Sequence, residues 1–161
     1  MGEDKATLCF KGRSLKTIAL DALAPHYTSL FELGPGGIED APDFKGPMRG
    51  IMAALHHCPQ ARWLILACDM PLVDATALAW LLKQSEHEHL AVIPRTSDGQ
   101  LHPTCALYTP QAAPALSPLA SPIELATHPR VHTPLVPTQL ESAWTNVNDR
   151  ETWKRLVSRG A

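Results

Sequence analysis

At 161 residues the chain has the length of one domain, and its 45% hydrophobic content suits a globular core. A formal net charge of -2, with neither a basic face nor a run of Lys or Arg, argues against a general nucleic-acid or anionic-membrane binder, so a phosphate ligand must be handled by a few local groups. Cys9, Cys58, Cys68 and Cys105 lack CxxC spacing, which argues against a zinc site, a dithiol motif or a disulfide framework, and they read as small core residues. The N-terminus has no apolar targeting core and no apolar run approaches the roughly 20 residues of a membrane span, so the expected location is the cytoplasm.

The chain opens on a polar stretch and gains strand character at Leu8, Cys9 and Phe10, before a turn at Lys11-Gly12-Arg13. Leu15, Ile18, Ala19, Ala22 and Leu23 recur at helical spacing, predicting an amphipathic helix from Ser14 to about Ala24, capped by Ser14 and closed by Pro25. Thr28 to Leu33 reads as a strand, ended by the breaker cluster Gly34-Pro35-Gly36-Gly37, which can only be a loop. After Ile38-Glu39-Asp40 and a second loop, Gly46-Pro47 opens a helix carrying Met48, Ile51, Met52 and Leu55, with Pro at the first helical position. A glycine ahead of a helix start leaves backbone N–H groups for an anion.

Trp63 to Pro71 is a short apolar run that ends in a carboxylate and a proline, the pattern of a fully buried strand. Asp69 then lies at the strand's C-terminal end, where open parallel sheets bind ligands and where a carboxylate is a hard oxygen ligand. Its structural alternative, a helix cap, is already filled by Asp74 ahead of the helix running to Gln84. Leu90 to Pro94 and Cys105 to Tyr108 follow as strands around the turn Ser97-Asp98-Gly99, with His102-Pro103-Thr104 between them. Frequent prolines from Pro110 to Pro137 break that stretch into short helical turns and loop. Asn146-Val147-Asn148 then precedes a last helix with Trp153, Leu156 and Val157 inward, Asp149 as its cap and Gly160 beyond its end. Strands alternating with helices predict a single α/β domain over residues 1–161, a mostly parallel sheet in an α/β/α sandwich.

Lys5, Asp40, the Gly46-Pro47 helix start, Asp69, Asn146 and Asn148 all fall in loops or at element ends. Together they supply a cation, backbone N–H groups and oxygen ligands, the parts needed to hold a polyphosphate with a divalent metal. No Ser/His/Asp arrangement is evident, and phosphoryl chemistry needs positioning and charge neutralisation more than a protein nucleophile.

Met-Gly-Glu-Asp-Lys-Ala at 1–6, Ile-Glu-Asp at 38–40, Gly-Pro-Met-Arg-Gly at 46–50, Ala-Cys-Asp-Met-Pro at 67–71, His-Pro-Thr at 102–104 and Asn-Val-Asn at 146–148 resemble the ordered motifs of the molybdenum cofactor guanylyltransferase (MobA) family. The resemblance implies a Rossmann-like nucleotidyltransferase fold, GTP bound with magnesium or manganese, and transfer of GMP to molybdopterin with release of pyrophosphate. By motif match, Lys5 neutralises the triphosphate, Asp40, Gly46 and Pro47 serve the nucleotide, Asp69 holds the metal with Asn148, and His102, Thr104 and Asn146 face the pterin. Each has a structural alternative: Lys5 as a solvated lysine, Asp40 as a turn cap, Asn148 as support for Asp149, His102 as a loop residue satisfied by backbone.

The family pattern begins with a strand and a Leu-Ala-Gly-Gly loop ahead of the Met-Gly-x-Asp-Lys motif, so Met1 is expected to be an internal methionine, with roughly 20 residues preceding it in a longer natural protein. The polar Asn usual after the second strand is replaced by Glu32, Leu33 and Gly34. Two other functions are set against guanylyl transfer: a cytidylyltransferase or other NTP transferase of the same fold, and a non-catalytic molybdopterin-binding module. Acceptor enzymes that carry the cofactor are the protein partners the resemblance implies.

Overall fold

A computed structural model describes residues 8–159, which form two compact units. The first is built from residues 8–27, 66–80 and 137–159, and the second from residues 28–65 and 81–136.

The first unit begins with a hairpin of β1 (Cys9–Phe10) and β2 (Arg13–Ser14), paired antiparallel with Phe10 opposite Arg13. Its two-residue turn takes Lys11 to φ 51° and Gly12 to φ 74°, the left-handed turn that matches strand twist. Helix α1 (Leu15–Leu23) starts where the sequence predicts, because the Ser14 hydroxyl accepts a 3.0 Å bond from the Thr17 N–H. Leu15 and Ile18 join Phe10 in a small core, against which Leu8, Leu72, Trp153 and Leu156 pack. Trp153 and Leu156 belong to α5 (Arg150–Arg159), whose Asp149 cap accepts from the Thr152 N–H at 2.7 Å. Val157, expected inward, is 45% exposed, since only the Trp153 and Leu156 stripe faces the Phe10 cluster. Gly160, read as the residue beyond the helix, lies outside the described residues.

The second unit holds a four-stranded sheet in the order β3-β5-β4-β6, formed by β3 (Trp63–Leu66), β4 (Ala91–Val92), β5 (Cys105–Tyr108) and β6 (Val131–His132). Strand β4 pairs antiparallel with β5 and parallel with β6, so the sheet is mixed and the α/β class expected from the sequence holds. Helix α2 (Pro47–His57) lays Met48, Ile51, Met52 and Leu55 into a core with Ile65, Ile93, Ala106 and Tyr108. Burying a side chain of that size contributes about 1.5–3 kcal/mol, which is why the apolar stripe decides the helix's orientation. Helix α3 (Ala75–Lys83), whose residues 75–80 belong to the first unit, is capped by Asp74, whose carboxylate accepts the Ala77 N–H at 2.8 Å; in the second unit α4 (Ala112–Leu116) is the short turn expected among the prolines. The proline-rich stretch, expected to hold only short helical turns and loop, also supplies β6. Beside β6 the rings of His89 and His132 stack at 5.1 Å.

Thr28 to Leu33 is not a strand: apart from a single Leu33–Ile38 bridge it makes no ladder. Its end is folded back locally, with Ile38 N–H donating to the Glu32 carbonyl and Gly34 N–H to the Ile38 carbonyl, both at 2.8 Å. Those bonds use the backbone groups a ladder would need, and Leu30, Phe31 and Leu33 stay exposed. Cys9 and Cys58 are exposed rather than core residues, because they sit in a hairpin edge strand and beyond a helix end; Cys105 is buried as expected.

Candidate active site

Strand β3 ends at Leu66, earlier than the sequence suggests, and Asp69 lies in the turn that follows it. The turn is fixed from far along the chain: the Val147 N–H donates to the Asp69 carbonyl at 2.8 Å. Val147 is fully buried, so Asn146 and Asn148 are pinned on either side of it beside the Asp69 turn. Asp69 and Asn146 are half-buried and Asn148 is exposed. The Asn146 Oδ1 is buried and has no hydrogen-bond partner among the described residues.

These groups are oxygen donors, and a buried amide oxygen without a donor is the condition a hard cation relieves. Among the described residues no group of three or more His, Cys, Asp or Glu is placed to hold a metal.

In the second unit Asp40 lies beside α2. Its Oδ2 is 3.5 Å from Arg49 Nε, the Ala41 N–H donates to the Arg49 carbonyl at 3.1 Å, and a Cβ on Gly50 would come within 3.9 Å of Asp40 Oδ1. Gly46, at φ 53° and ψ -140°, is the cap of α2, a backbone state that only glycine takes easily, and no side chain caps the helix. Pro47 follows at the first helical position. An open depression of about 550 Å³ is lined by Phe31, Glu32, Gly36, Gly37, Ile38 and Glu39, next in chain to Asp40. Gly37 is required there, since a Cβ would sit 2.2 Å from the Glu32 carbonyl oxygen. A second cavity of about 390 Å³, in the first unit, is lined by Phe10, Lys11, Leu72, Thr145, Thr152 and Arg155 among others and by none of the predicted site residues.

His102 and Thr104 share a turn between β4 and β5. The Cys105 N–H closes it on the His102 carbonyl at 3.1 Å, and the Tyr108 hydroxyl donates to the Pro103 carbonyl at 2.8 Å. Burial pushes the Tyr108 phenol far above its usual range, so it stays a donor. Thr104 is half-buried and His102 is 2% exposed. The ring contact is to a side chain rather than to the backbone, with Nε2 at 3.1 Å from Thr96 Oγ1, while Nδ1 is buried with no hydrogen-bond partner among the described residues. Burial holds His102 below its ordinary pKa, against a weaker opposing pull from Asp98, so it is neutral near pH 7.

The structure thus brings Asp69, Asn146 and Asn148 together, places Asp40 beside the Gly46-Pro47 start of α2, and sets His102 with Thr104; Lys5 lies outside the described residues. Sequence reasoning missed Arg49, Thr96 and Val147. Thr96 was within reach: antiparallel pairing across the Ser97-Asp98-Gly99 turn, with Arg95 opposite Leu101, sets residue 96 close to residue 102.

Residues 1–126 match the family described as MobA-like NTP transferase domain. A molybdenum cofactor biosynthesis bifunctional protein from Synechocystis is 30% identical over 70% of this chain and 36% of its own length. A probable molybdenum cofactor guanylyltransferase from Bacillus subtilis is 32% identical over 71% of this chain and 63% of its own, so the chain spans less than two thirds of either relative. A molybdenum cofactor guanylyltransferase from Xanthomonas euvesicatoria is 28% identical over 98% of this chain and 87% of its own. The crystal structure of molybdopterin-guanine dinucleotide biosynthesis protein A from Archaeoglobus fulgidus has the same fold, with a TM-score of 0.72 at 21% identity over 98% of this chain and 91% of that one. No helix among the described residues is long and apolar enough to cross a membrane. With the fold and the matched residues in agreement, the chain belongs to the MobA-like NTP transferase domain family.

Proposed function

We propose that this chain is a magnesium-dependent guanylyltransferase that moves GMP from GTP to the terminal phosphate of molybdopterin or its molybdenum form. An oxygen of the acceptor phosphate bonds to the α-phosphorus of GTP, the bond from that phosphorus to the bridging oxygen of the β-phosphate breaks, and the electron pair leaves with pyrophosphate. The acceptor phosphate is already an anion near neutral pH, so no protein base is needed, and His102 is not assigned that work.

The observation that carries this reading is the 2.8 Å bond from the Val147 N–H to the Asp69 carbonyl, which joins an acidic turn to an asparagine pair far along the chain in an all-oxygen set. Asp69, Asn146 and Asn148 would hold the divalent cation, magnesium or manganese, which supplies charge neutralisation on the phosphates. Lys5 adds a positive charge to the triphosphate, the Gly46-Pro47 start of α2 offers backbone N–H groups to an anion, and Asp40 with Arg49 contacts the nucleoside. His102, Thr104 and Asn146 face the acceptor. The names borne by the relatives support both GTP and molybdopterin as substrates.

The test is to incubate the full natural protein with magnesium, molybdopterin and each of the four NTPs, and to follow the dinucleotide cofactor and pyrophosphate. Guanine dinucleotide formed from GTP alone supports the proposal. Cytosine dinucleotide would assign a cytidylyltransferase instead, and pterin binding without any turnover would assign a binding module.

A further inference from the structure

The cavity of about 390 Å³ in the first unit holds none of the site residues described above, and its lining divides by chemistry. Phe10, Leu72 and Leu156 make its apolar part, with the Phe10 ring fixed edge-on to Trp153 at 6.1 Å. Lys11, Arg155 and three hydroxyl residues make the rest, and no acidic residue lines it in a chain whose formal net charge is -2.

Lys11 sits at the tip of the β1–β2 hairpin at φ 51°, and among the described residues no other non-glycine residue has a positive φ. Gly, Asn and Asp take that turn position readily, so a lysine is kept there at a conformational cost that the hairpin itself does not require. Its Nζ lies 5.7 Å from the centre of the Phe10 ring, a weak attraction at an exposed site that leaves the ammonium able to donate to an anion. Arg155 is aimed by its own helix. The Thr152 hydroxyl donates to Asp149 Oδ2 at 3.0 Å and accepts from Arg155 Nη2 at 3.2 Å, so Thr152 positions the guanidinium and has no proton left for a ligand. Asp149 is engaged by the same residue, since its Oδ1 accepts the Thr152 N–H at 2.7 Å. Ser142 and Thr145 bring two further hydroxyls.

A compact ammonium, a forked guanidinium and two hydroxyls offer more donors than a planar carboxylate can use, and they suit the several oxygens of a phosphate group. A bare phosphate ion would leave the apolar part of the cavity unfilled, and the volume falls in the range of about 300–1,000 Å³ found for small-molecule sites. We infer that this cavity is an accessory binding site for a phosphate monoester with an apolar or aromatic body, its phosphate on Lys11 and Arg155 and its body against Phe10, Leu72 and Leu156. The same lining reaches the Asp69 turn through the chain. Thr145, whose N–H donates to the Ser142 carbonyl at 3.1 Å, directly precedes Asn146 and Val147, and Leu72 follows the buried Met70 and Pro71. A ligand drawing on Ser142 and Thr145 therefore bears on the 2.8 Å bond from the Val147 N–H to the Asp69 carbonyl. The inference stands apart from guanylyl transfer, because binding alone tests it.

The experiment titrates the full natural protein, labelled with 15N, with phenyl phosphate and separately with inorganic phosphate, each with and without GTP and magnesium. Phenyl phosphate is expected to shift the Lys11, Thr145 and Arg155 amides saturably in both settings and to move the Val147 amide with them, and inorganic phosphate is expected to bind about tenfold more weakly. Lys11→Gly relieves the turn, so its urea midpoint is expected to be no lower than the parent's while its affinity for phenyl phosphate falls about tenfold, and Arg155→Gln is expected to lose affinity to a similar degree. Unchanged affinity in both variants, or no saturable shift at these residues up to about 10 mM, overturns the site. Equal affinity for the two probes overturns the assignment of a monoester, and a Val147 amide that stays in place overturns the link to the Asp69 turn.

Discussion

Asp40 and Asp69 are both half-buried carboxylates in loops, yet the chain holds them in opposite ways. Asp40 is placed by near neighbours: Arg49 pairs with its carboxylate and also accepts the Ala41 N–H, while Gly50 leaves room beside it. The turn of Asp69 is placed from a distance, by Val147 beyond the whole proline-rich stretch. A locally held group can adjust with its loop, whereas a group fixed by remote segments keeps its position only when the unit around it is folded. The first arrangement suits the nucleoside contact proposed for Asp40 and the second suits the metal role proposed for Asp69, whose position must not drift.

The sharpest way to break this contrast is to remove each carboxylate in turn. Asp69→Ala is expected to lower kcat by about 10²–10³, as loss of one preorganised charge-stabilising group does, with the circular dichroism spectrum and urea midpoint little changed. Asp40→Ala is expected to leave kcat near that of the parent and to raise the KM for GTP about tenfold, a uniform-binding loss of about 1.4 kcal/mol. Equal effects on kcat from the two variants would erase the distinction.

A backbone test comes next. Gly37→Ala places a Cβ against the Glu32 carbonyl and should cost about 1–3 kcal/mol in urea unfolding, with a rise in the KM for GTP as the loop leading to Asp40 shifts. A variant of parental stability would mean that the 34–38 fold-back does not constrain Asp40.

The local arrangements were the ones legible in the sequence. Ser14, Asp74 and Asp149 each have the residue type and position of a cap, and each accepts the N–H three residues on, because that contact depends on nothing outside one helical turn. Gly46-Pro47 was legible for the same reason. What escaped depends on remote partners. Whether 28–33 is a strand is decided by a neighbour, and here the Glu32 carbonyl is bonded to the Ile38 N–H instead. The strand β6 was hidden because its pairing with β4 joins segments separated by a proline-rich stretch, and Val147 gave no sign in its own residue type of where its N–H would go.

Smaller effects sharpen the comparison further. Burial lowers the pKa of His102, and burial followed by the neighbouring His89 lowers that of His132, with Glu86 opposing. Both groups therefore bind protons less readily when folded, and the stability they support is present above their ordinary value of 6.5 and lost as the pH falls below it. The urea midpoint should be flat from about pH 8 to 7 and decline below about 6.5, with a shallower decline in His102→Gln. A midpoint that rises on acidification would contradict the sign. Ser14→Ala should cost about 1 kcal/mol by the same measurement without altering kcat or either KM, since the cap serves only its own helix.

The tie between Asp69 and Val147 also sets an order of assembly during synthesis. Residues 28–136 supply all of the sheet unit's segments, so its core can close while the remainder of the chain is still being translated. The other unit cannot: Phe10 and Leu15 emerge early but wait for Trp153 and Leu156, and the Asp69 turn waits for Val147. Premature release from the ribosome before residue 147 would therefore leave a chain with a folded sheet unit and an unformed Asp69 turn, a product that is recognisable by fold yet lacks the metal site proposed above.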